Sequence, residues 1–310
     1  MWCWLDDLES LDTTLWMEKV REHPRPSPFL TPMFLRPWAR HFAGPLKLGL
    51  GNHGQSWLLL HRGPRFWELL GGEEVADRLD LLGSPAGLAP SLREEIRQWD
   101  APVSFPNLAP DAWALQLIAP EDLLEEVEQS PFLPLAGSFE SYLQSLTKKQ
   151  RHELLRKRRR AERLASSGLR ISQGLADLEV FLDLHRRSSP HKADFMHGSM
   201  EAFFRSLALS LDQQGMLWLV TLWDGSVPLA SLFHIRFAGV VHLYNSGYAP
   251  EAAALAPGVV LLSHCIELSC ASGFCEYDFL RGTERYKYDL GGRDRAVFRL
   301  RLGAACDTCC

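Results

Sequence analysis

No apolar run in this 310-residue chain approaches the roughly 20 residues that cross a bilayer, so no membrane-spanning helix is expected. The opening stretch, Met1-Trp2-Cys3-Trp4-Leu5-Asp6-Asp7, lacks the basic head and apolar stretch of a secretory leader, which makes the cytoplasm the expected location. Cysteine is sparse. The seven residues (Cys3, Cys265, Cys270, Cys275, Cys306, Cys309 and Cys310) make an odd count without the framework spacing of small secreted domains, so reduced thiols are expected. Cys306-Asp307-Thr308-Cys309-Cys310 has a CxxC spacing, yet no second cluster completes a zinc site. No metal is expected, and residues 303–310 read as a tail.

A large global charge is also missing, since the net value is −5. The charge is local instead: residues 148–163 hold nine Lys/Arg against two Glu, or +7, which leaves −12 for the rest of the chain. A solvated helix face, an anionic cofactor, anionic lipid or nucleic acid would each account for such a run. Nucleic acid is the weaker reading because the run contains no aromatic residue and its surroundings are acidic.

A hydrophobic content of 46% with 23% charged residues is enough to bury a large core. In the first half, Pro24 to Pro37 reads as extended and turn structure, with a short helix at Trp38–Phe42. A hairpin is expected over 46–62, turning at Gly51-Asn52-His53-Gly54. Ser91 reads as the cap of a helix to Trp99, and Ala112–Ile118 has strand character. The proline-bearing stretch from Ser130 to Gly137 is the expected boundary.

The second half begins with Ser138 capping a short helix, then Thr147 and Gln150 in a capping-box pattern at the head of the basic helix. A strand over 169–173 and helices over 177–187 and 200–214 follow. Three strand-like runs (216–223, 228–237 and 240–248) make an antiparallel meander. Then come a helix from Pro257 to Ser272, a strand at 276–280 and a last strand at 296–302. A meander followed by strand, loop, helix and strand implies a mixed α/β (α+β) fold, its mostly antiparallel sheet flanked by helices. No internal repeat is visible residue by residue.

Four stretches carry a family resemblance. They are Thr31-Pro32-Met33-Phe34-Leu35-Arg36-Pro37-Trp38; Phe66 to Gly72 with Asp80-Leu81-Leu82; Phe139 to Leu143 with Lys148-Lys149-Gln150-Arg151; and Asp278-Phe279-Leu280-Arg281-Gly282 with Tyr286-Lys287. Together they resemble the GNAT acyltransferase superfamily, in the BioF2-like or CelD-like branch related to the FemABX peptidyltransferases. The resemblance implies two tandem GNAT-like folds: a non-catalytic domain over 1–130 and an acyltransferase domain over 138–302. It further implies acetyl-CoA or another acyl-CoA as co-substrate, and a small-molecule, glycan or peptide amine as acceptor.

Acyl transfer from a thioester to an amine needs a cradle for the donor's phosphates, donors facing the carbonyl and a route for the amine proton. None of these requires a metal. The cradle is expected at Ala256-Pro257-Gly258-Val259, where a loop enters a helix, although only one glycine stands where the superfamily usually has two beside an Arg or Gln. Tyr286 and Lys287 are adjacent, so only one of them points into the cleft if this stretch is extended; by resemblance Lys287 neutralises an anionic ligand group, or Tyr286 instead protonates a departing thiolate. Glu284 is the candidate proton acceptor, with a solvated loop residue as the alternative. Asp278, Arg281 and Gly282 are expected at the substrate, unless Asp278 and Arg281 form only a salt bridge beneath a turn. Strand alternation would put His242, Tyr244, Ser246 and Tyr248 on one face, with Tyr244 and Ser246 along the donor arm and His242 near the acceptor. His191, in the Ser188–Lys192 loop, is a further substrate candidate. Two other readings stay open: an aminoacyl-tRNA-dependent transferase of FemABX type, and a non-catalytic subunit of polysaccharide or envelope biosynthesis.

Overall fold

Prolines in the first turn, with an oxygen-bearing side chain just before them, set several helix starts in this chain. The computed structural model describes residues 2–135 and 137–303, so the Cys306–Cys310 tail lies outside the described residues. The chain forms two units, one of residues 1–129 together with the stretch from Arg295, the other of residues 130–294.

The first unit contains β1 (Trp2–Leu5), α1 (Thr13–Glu22), α2 (Pro32–Phe42), β2 (Leu46–Gly51), β3 (Ser56–Arg62), β4 (Trp67–Leu69), α3 (Ala89–Ile96), β5 (Val103–Leu108) and β6 (Leu123–Gln129). β2 and β3 form the expected hairpin, with Asn52 and His53 at positive φ in its turn. α2 starts earlier than its proline content suggests. Pro32 occupies its first turn, and Pro37 lies on the buried face with Phe34, Leu35 and Trp38. A mid-helix proline costs about 3 kcal/mol. Burial of three such side chains stabilises by about 1.5–3 kcal/mol each, which is enough to offset it. Two other expectations change. Ser91 lies inside α3, whose first turn carries Pro90. Residues 112–118 form a 3₁₀ turn over Trp113–Leu117 and no strand, because the buried Asp80 carboxylate accepts from the N–H groups of Trp113 and Ala114 (2.6 and 2.8 Å).

The second unit runs β7 (Phe132–Pro134), α4 (Phe139–Ser145), α5 (Lys148–Leu164), β8 (Leu169–Gln173), α6 (Leu178–Ser188), α7 (Pro190–Phe195), α8 (Ser199–Asp212), β9 (Leu217–Asp224), β10 (Val227–Phe237), β11 (Val240–Tyr248), α9 (Pro257–Ala271), β12 (Glu276–Asp278) and α10 (Arg285–Asp289). Ser138 caps α4, and the Thr147–Gln150 capping box at α5 is complete in both directions. The expected linker is partly a strand, since β7 pairs with β12. α9 is apolar on all sides because it is buried: Val260, Leu261, Leu262, Cys265 and Ile266 pack in the core. Both α9 and α6 lie on β10 and β11.

The expected last strand exists as β13 (Ala296–Leu302), but it pairs with β5 and β6 in the first unit. The domain expected over 138–302 therefore loses this strand, gains β7 and occupies 130–294. Charge explains the choice of partner: acidic β6 sets Glu125 opposite Arg299 in register, and Arg301 pairs with Glu125 at 3.2 Å.

Strand order is β1-β2-β3-β4-β5-β13-β6 in one sheet and β7-β12-β11-β10-β9-β8 in the other. Each unit thus has an antiparallel meander and then a helical crossover to a parallel strand (β4 to β5 through α3, β11 to β12 through α9). An antiparallel strand follows beyond it (β13 or β7). The same architecture occurs twice without a repeat in residues. Among the described residues no helix is long and apolar enough to cross a membrane.

Candidate active site

β11 and β12 pair only from Val240 opposite Glu276 to His242 opposite Asp278, after which β12 stops and β11 continues to Tyr248. The two parallel strands part here. β11 also carries one extra residue, Tyr244, between Leu243 opposite His234 and Asn245 opposite Phe233. A bulge of this kind breaks the two-residue alternation. The four side chains expected on one face are accordingly divided. His242 is buried, with Nδ1 3.8 Å from the Asp278 carboxylate. The Tyr244 ring packs on Phe204 and Phe233, with centroids 5.4 and 5.7 Å away. Only Ser246 and Tyr248 reach the wedge between the strands.

A cavity of about 400 Å³ opens in that wedge, bounded by Ser246 and Tyr248, by Lys192, by Ala256 to Val259, and by Glu284 and Tyr286. Ala256, at φ 49°, turns the chain into α9, and no side chain caps the helix. The N–H groups of Gly258 and Val259 belong to the first turn and have no intrahelical acceptor. A Cβ added at Gly258 would meet nothing within 4 Å. The head of α9 thus presents bare backbone and its positive dipole end to the cavity.

The segment from Asp278 to Lys287 braces itself. Buried Asp278 accepts from the Leu280 N–H at 2.9 Å, and both Leu280 (φ 61°) and Gly282 (φ 102°) are left-handed. Lys287, only 2% exposed, donates through Nζ to the carbonyl oxygens of Leu280 (3.0 Å), Arg281 (2.6 Å) and Gly282 (3.0 Å), and lies 2.9 Å from the Glu284 carboxylate. The expected ligand contact at Lys287 is therefore replaced by an internal one. The cause is local structure: residues 285–289 form the short helix α10, in which adjacent side chains diverge by about 100°. Tyr286 faces the cavity while Lys287 points inward. Arg281 is half-buried and supplies its carbonyl to that lysine. The positive φ favours glycine at 282, and a Cβ there would lie 2.5 Å from the Glu284 carboxylate and displace it.

His191 is exposed on α7, and its neighbour Lys192 lines the cavity instead. Ser189 accepts from the Lys192 N–H (3.2 Å), and Pro190 sits in the first turn. That Ser-Pro start was the readable signal that this stretch is a helix and no loop. The Lys192 Nζ donates to the Ser246 carbonyl (2.5 Å) and lies 3.4 Å from the Ser246 hydroxyl. Burial pushes its pKa down to about 8, with Glu284 opposing the shift. Burial, reinforced by Glu284, pushes the Tyr286 hydroxyl well up, so it keeps its proton at neutral pH. Burial also takes His185, on α6, down to about 4.

A second groove, of about 930 Å³, adjoins this cavity through Val259. It is lined by Lys148, Lys149, His152 and Lys157 of α5 and by Arg285 of α10, with Glu153 and Asp289 among them. Gln150 ties the two helices by donating to the Tyr288 carbonyl at 2.8 Å. Part of the basic run is neutralised within the unit: Arg158 pairs with Glu267 and Arg156 with Glu153, both at 2.7 Å. Among the described residues no group of three or more His, Cys, Asp or Glu is placed to hold a metal ion.

The profile of the acetyltransferase (GNAT) domain family matches residues 148–288. No curated protein sequence matches the chain. Among solved structures, FemX is similar over 94% of this chain and 96% of its own, at 11% identity and a TM-score of 0.69. The C-terminal domain of a putative lysylphosphatidylglycerol synthetase from Agrobacterium fabrum covers 94% of this chain and 92% of its own, at 9% identity and a TM-score of 0.62. A tandem GNAT protein from the clavulanic acid biosynthesis pathway covers 99% of both chains at 12% identity and a TM-score of 0.52. At these identities the likeness is one of fold, and its span over nearly the whole chain agrees with two GNAT-like units in tandem. Residues 148–288 thus match the acetyltransferase (GNAT) domain family, and the chain as a whole has a fold that FemX shares.

Proposed function

We propose that the protein is an N-acyltransferase that moves an acyl group from an acyl-CoA to an amine in a ternary complex. The observation that carries this reading is the cavity where β11 and β12 part, with the uncapped head of α9 on one side and Glu284 and Tyr286 on another. A phosphate-bearing donor suits that place, because the free N–H groups of Gly258 and Val259 and the helix dipole favour an anion, and Gly258 leaves room for it. Bound there, an acyl-CoA would supply an electrophilic thioester carbonyl and a thiolate leaving group. As the amine nitrogen bonds to that carbonyl carbon, the carbon–sulfur bond breaks and one proton passes from nitrogen to sulfur. Glu284, an exposed carboxylate, accepts the amine proton directly or through water. Tyr286, kept protonated by its surroundings, donates a hydrogen bond towards the departing sulfur.

The basic groove beside Val259 favours a second reading, in which the donor is carried on RNA and the cations of α5 meet its phosphates. One set of calorimetric titrations separates the two. Acetyl-CoA binding that disappears in Gly258→Glu supports the first. Transfer-RNA binding with a steep salt slope, in the absence of acetyl-CoA binding, replaces it with the second. Silence towards both ligands rejects both and leaves a non-catalytic subunit as the remaining reading.

A further inference from the structure

We infer that the acceptor is an amine with a carboxylate close to its nitrogen, of the amino-acid class, held by Lys192 at the carboxylate and by Glu284 at the ammonium. This rests on the acyl-transfer reading of the same cavity and names the second substrate for it.

The cavity holds one cation and one anion from different parts of the unit. Lys192 comes from α7, anchored by its N–H to the Ser189 hydroxyl; Glu284 comes from the segment braced by Lys287. A lysine ammonium has three donors. Ser246 takes the Lys192 Nζ through its carbonyl at 2.5 Å and its hydroxyl at 3.4 Å, so a donor remains for the cavity. A carboxylate has about four acceptor positions. Lys287 engages one Glu284 oxygen at 2.9 Å and leaves the others open.

Charge decides which acceptors fit. The two groups feel each other across the cavity, Glu284 favouring the charged form of Lys192. A plain amine would satisfy Glu284 but bring its ammonium near Lys192. A plain acid would do the reverse. A zwitterion meets both, which matters because Lys192 is partly withdrawn from water and an uncompensated charge there is expensive. Leu232 and Leu262 form apolar wall for a side chain.

The test uses the full chain without any donor. Free amino acids, their methyl esters and the matching decarboxylated amines are titrated by ligand-observed NMR, and acetyl-CoA binding is measured separately. At least one free amino acid is expected to bind, with its ester and its amine each weaker by tenfold or more. Lys192→Met should remove that preference and Lys192→Arg should keep it, with thermal melts confirming that both variants fold. Equal binding of acid and ester, an unchanged preference in Lys192→Met, or no amino acid binding at all overturns the inference. Acetyl-CoA binding without amino-acid selectivity rejects the acceptor class alone; selectivity without acetyl-CoA binding rejects the donor reading alone.

Discussion

The Nζ of Lys287 lies 2.6 Å from the carbonyl oxygen of Arg281, at the centre of a fan that also takes in the carbonyls of Leu280 and Gly282. The lysine holds together a turn with two left-handed residues, and that turn delivers Glu284 and Tyr286 to the cavity. Its contacts are with the chain itself.

Lys287→Met is therefore expected to lower stability as well as turnover. A buried acceptor left without its donor costs about 1–3 kcal/mol. Three are exposed to that fate here, so a loss on the order of 3 kcal/mol is expected, read as a fall in Tm of several degrees. An unchanged Tm with lost turnover would return Lys287 to the role of ligand contact.

Gly258 separates packing from binding. Gly258→Ala meets open space at an ordinary φ in the first turn of α9, so it should leave the thermal stability unchanged or slightly raised. Gly258→Trp should fold equally well but fill the cavity and weaken acetyl-CoA binding at least tenfold, as measured by calorimetry. Full affinity in the tryptophan variant would place the donor elsewhere.

Gly247 is the opposite case. A Cβ there would lie 2.4 Å from the backbone nitrogen of His185 and 2.6 Å from the carbonyl carbon of Leu184, so β11 and α6 could not keep their distance. Gly247→Ala should destabilise by about 1–3 kcal/mol, as overpacking does. Chemical denaturation would reveal this as a lower midpoint with little change in slope.

Lys192 predicts a pH dependence. The charged and titratable groups facing it are Glu284 and Tyr286 across the cavity, Tyr248 on β11 and His185 on α6, which is neutral above about 4. Below a pH of about 8 Lys192 carries its charge in the folded chain, and above it the charge is lost. Affinity for a carboxylate-bearing acceptor should accordingly hold from pH 6 to 7.5, then fall as pH rises through about 8. The same titration on Lys192→Arg should show no fall in this window, because a guanidinium stays charged.

Local signals carried much of the fold. The capping box at Thr147, the stop at Gly215, the meander over β9 to β11 and the proline-led start of α9 depend on neighbouring residues alone, and all stand where the sequence places them. Within the cavity, Ala256 to Val259, Ser246, Glu284 and Tyr286 were legible for the same reason, being tied to a helix start, a strand end and a loop motif. The starts of α2 and α7 were misread from local signals, and three further errors arose where a distant partner decided the outcome. Asp80 draws residues 113–117 into a 3₁₀ turn, acidic β6 captures β13 for the first unit, and the Tyr244 bulge against β10 divides a face that alternation had united.

Hydrophobic period, caps and turns belong to stretches of a few residues, so the sequence by itself determined the capped helices α4 and α5, the proline-led helix α9 and the meander of the second unit. Which lysine lines the cavity was decided only by the tertiary structure. Lys287 and Lys192 both stand on short helices, and one turns into three carbonyls of its own turn while the other turns into the wedge between β11 and β12. The difference lies in where the surrounding backbone leaves unpaired oxygen, and that is known only when the strands have parted.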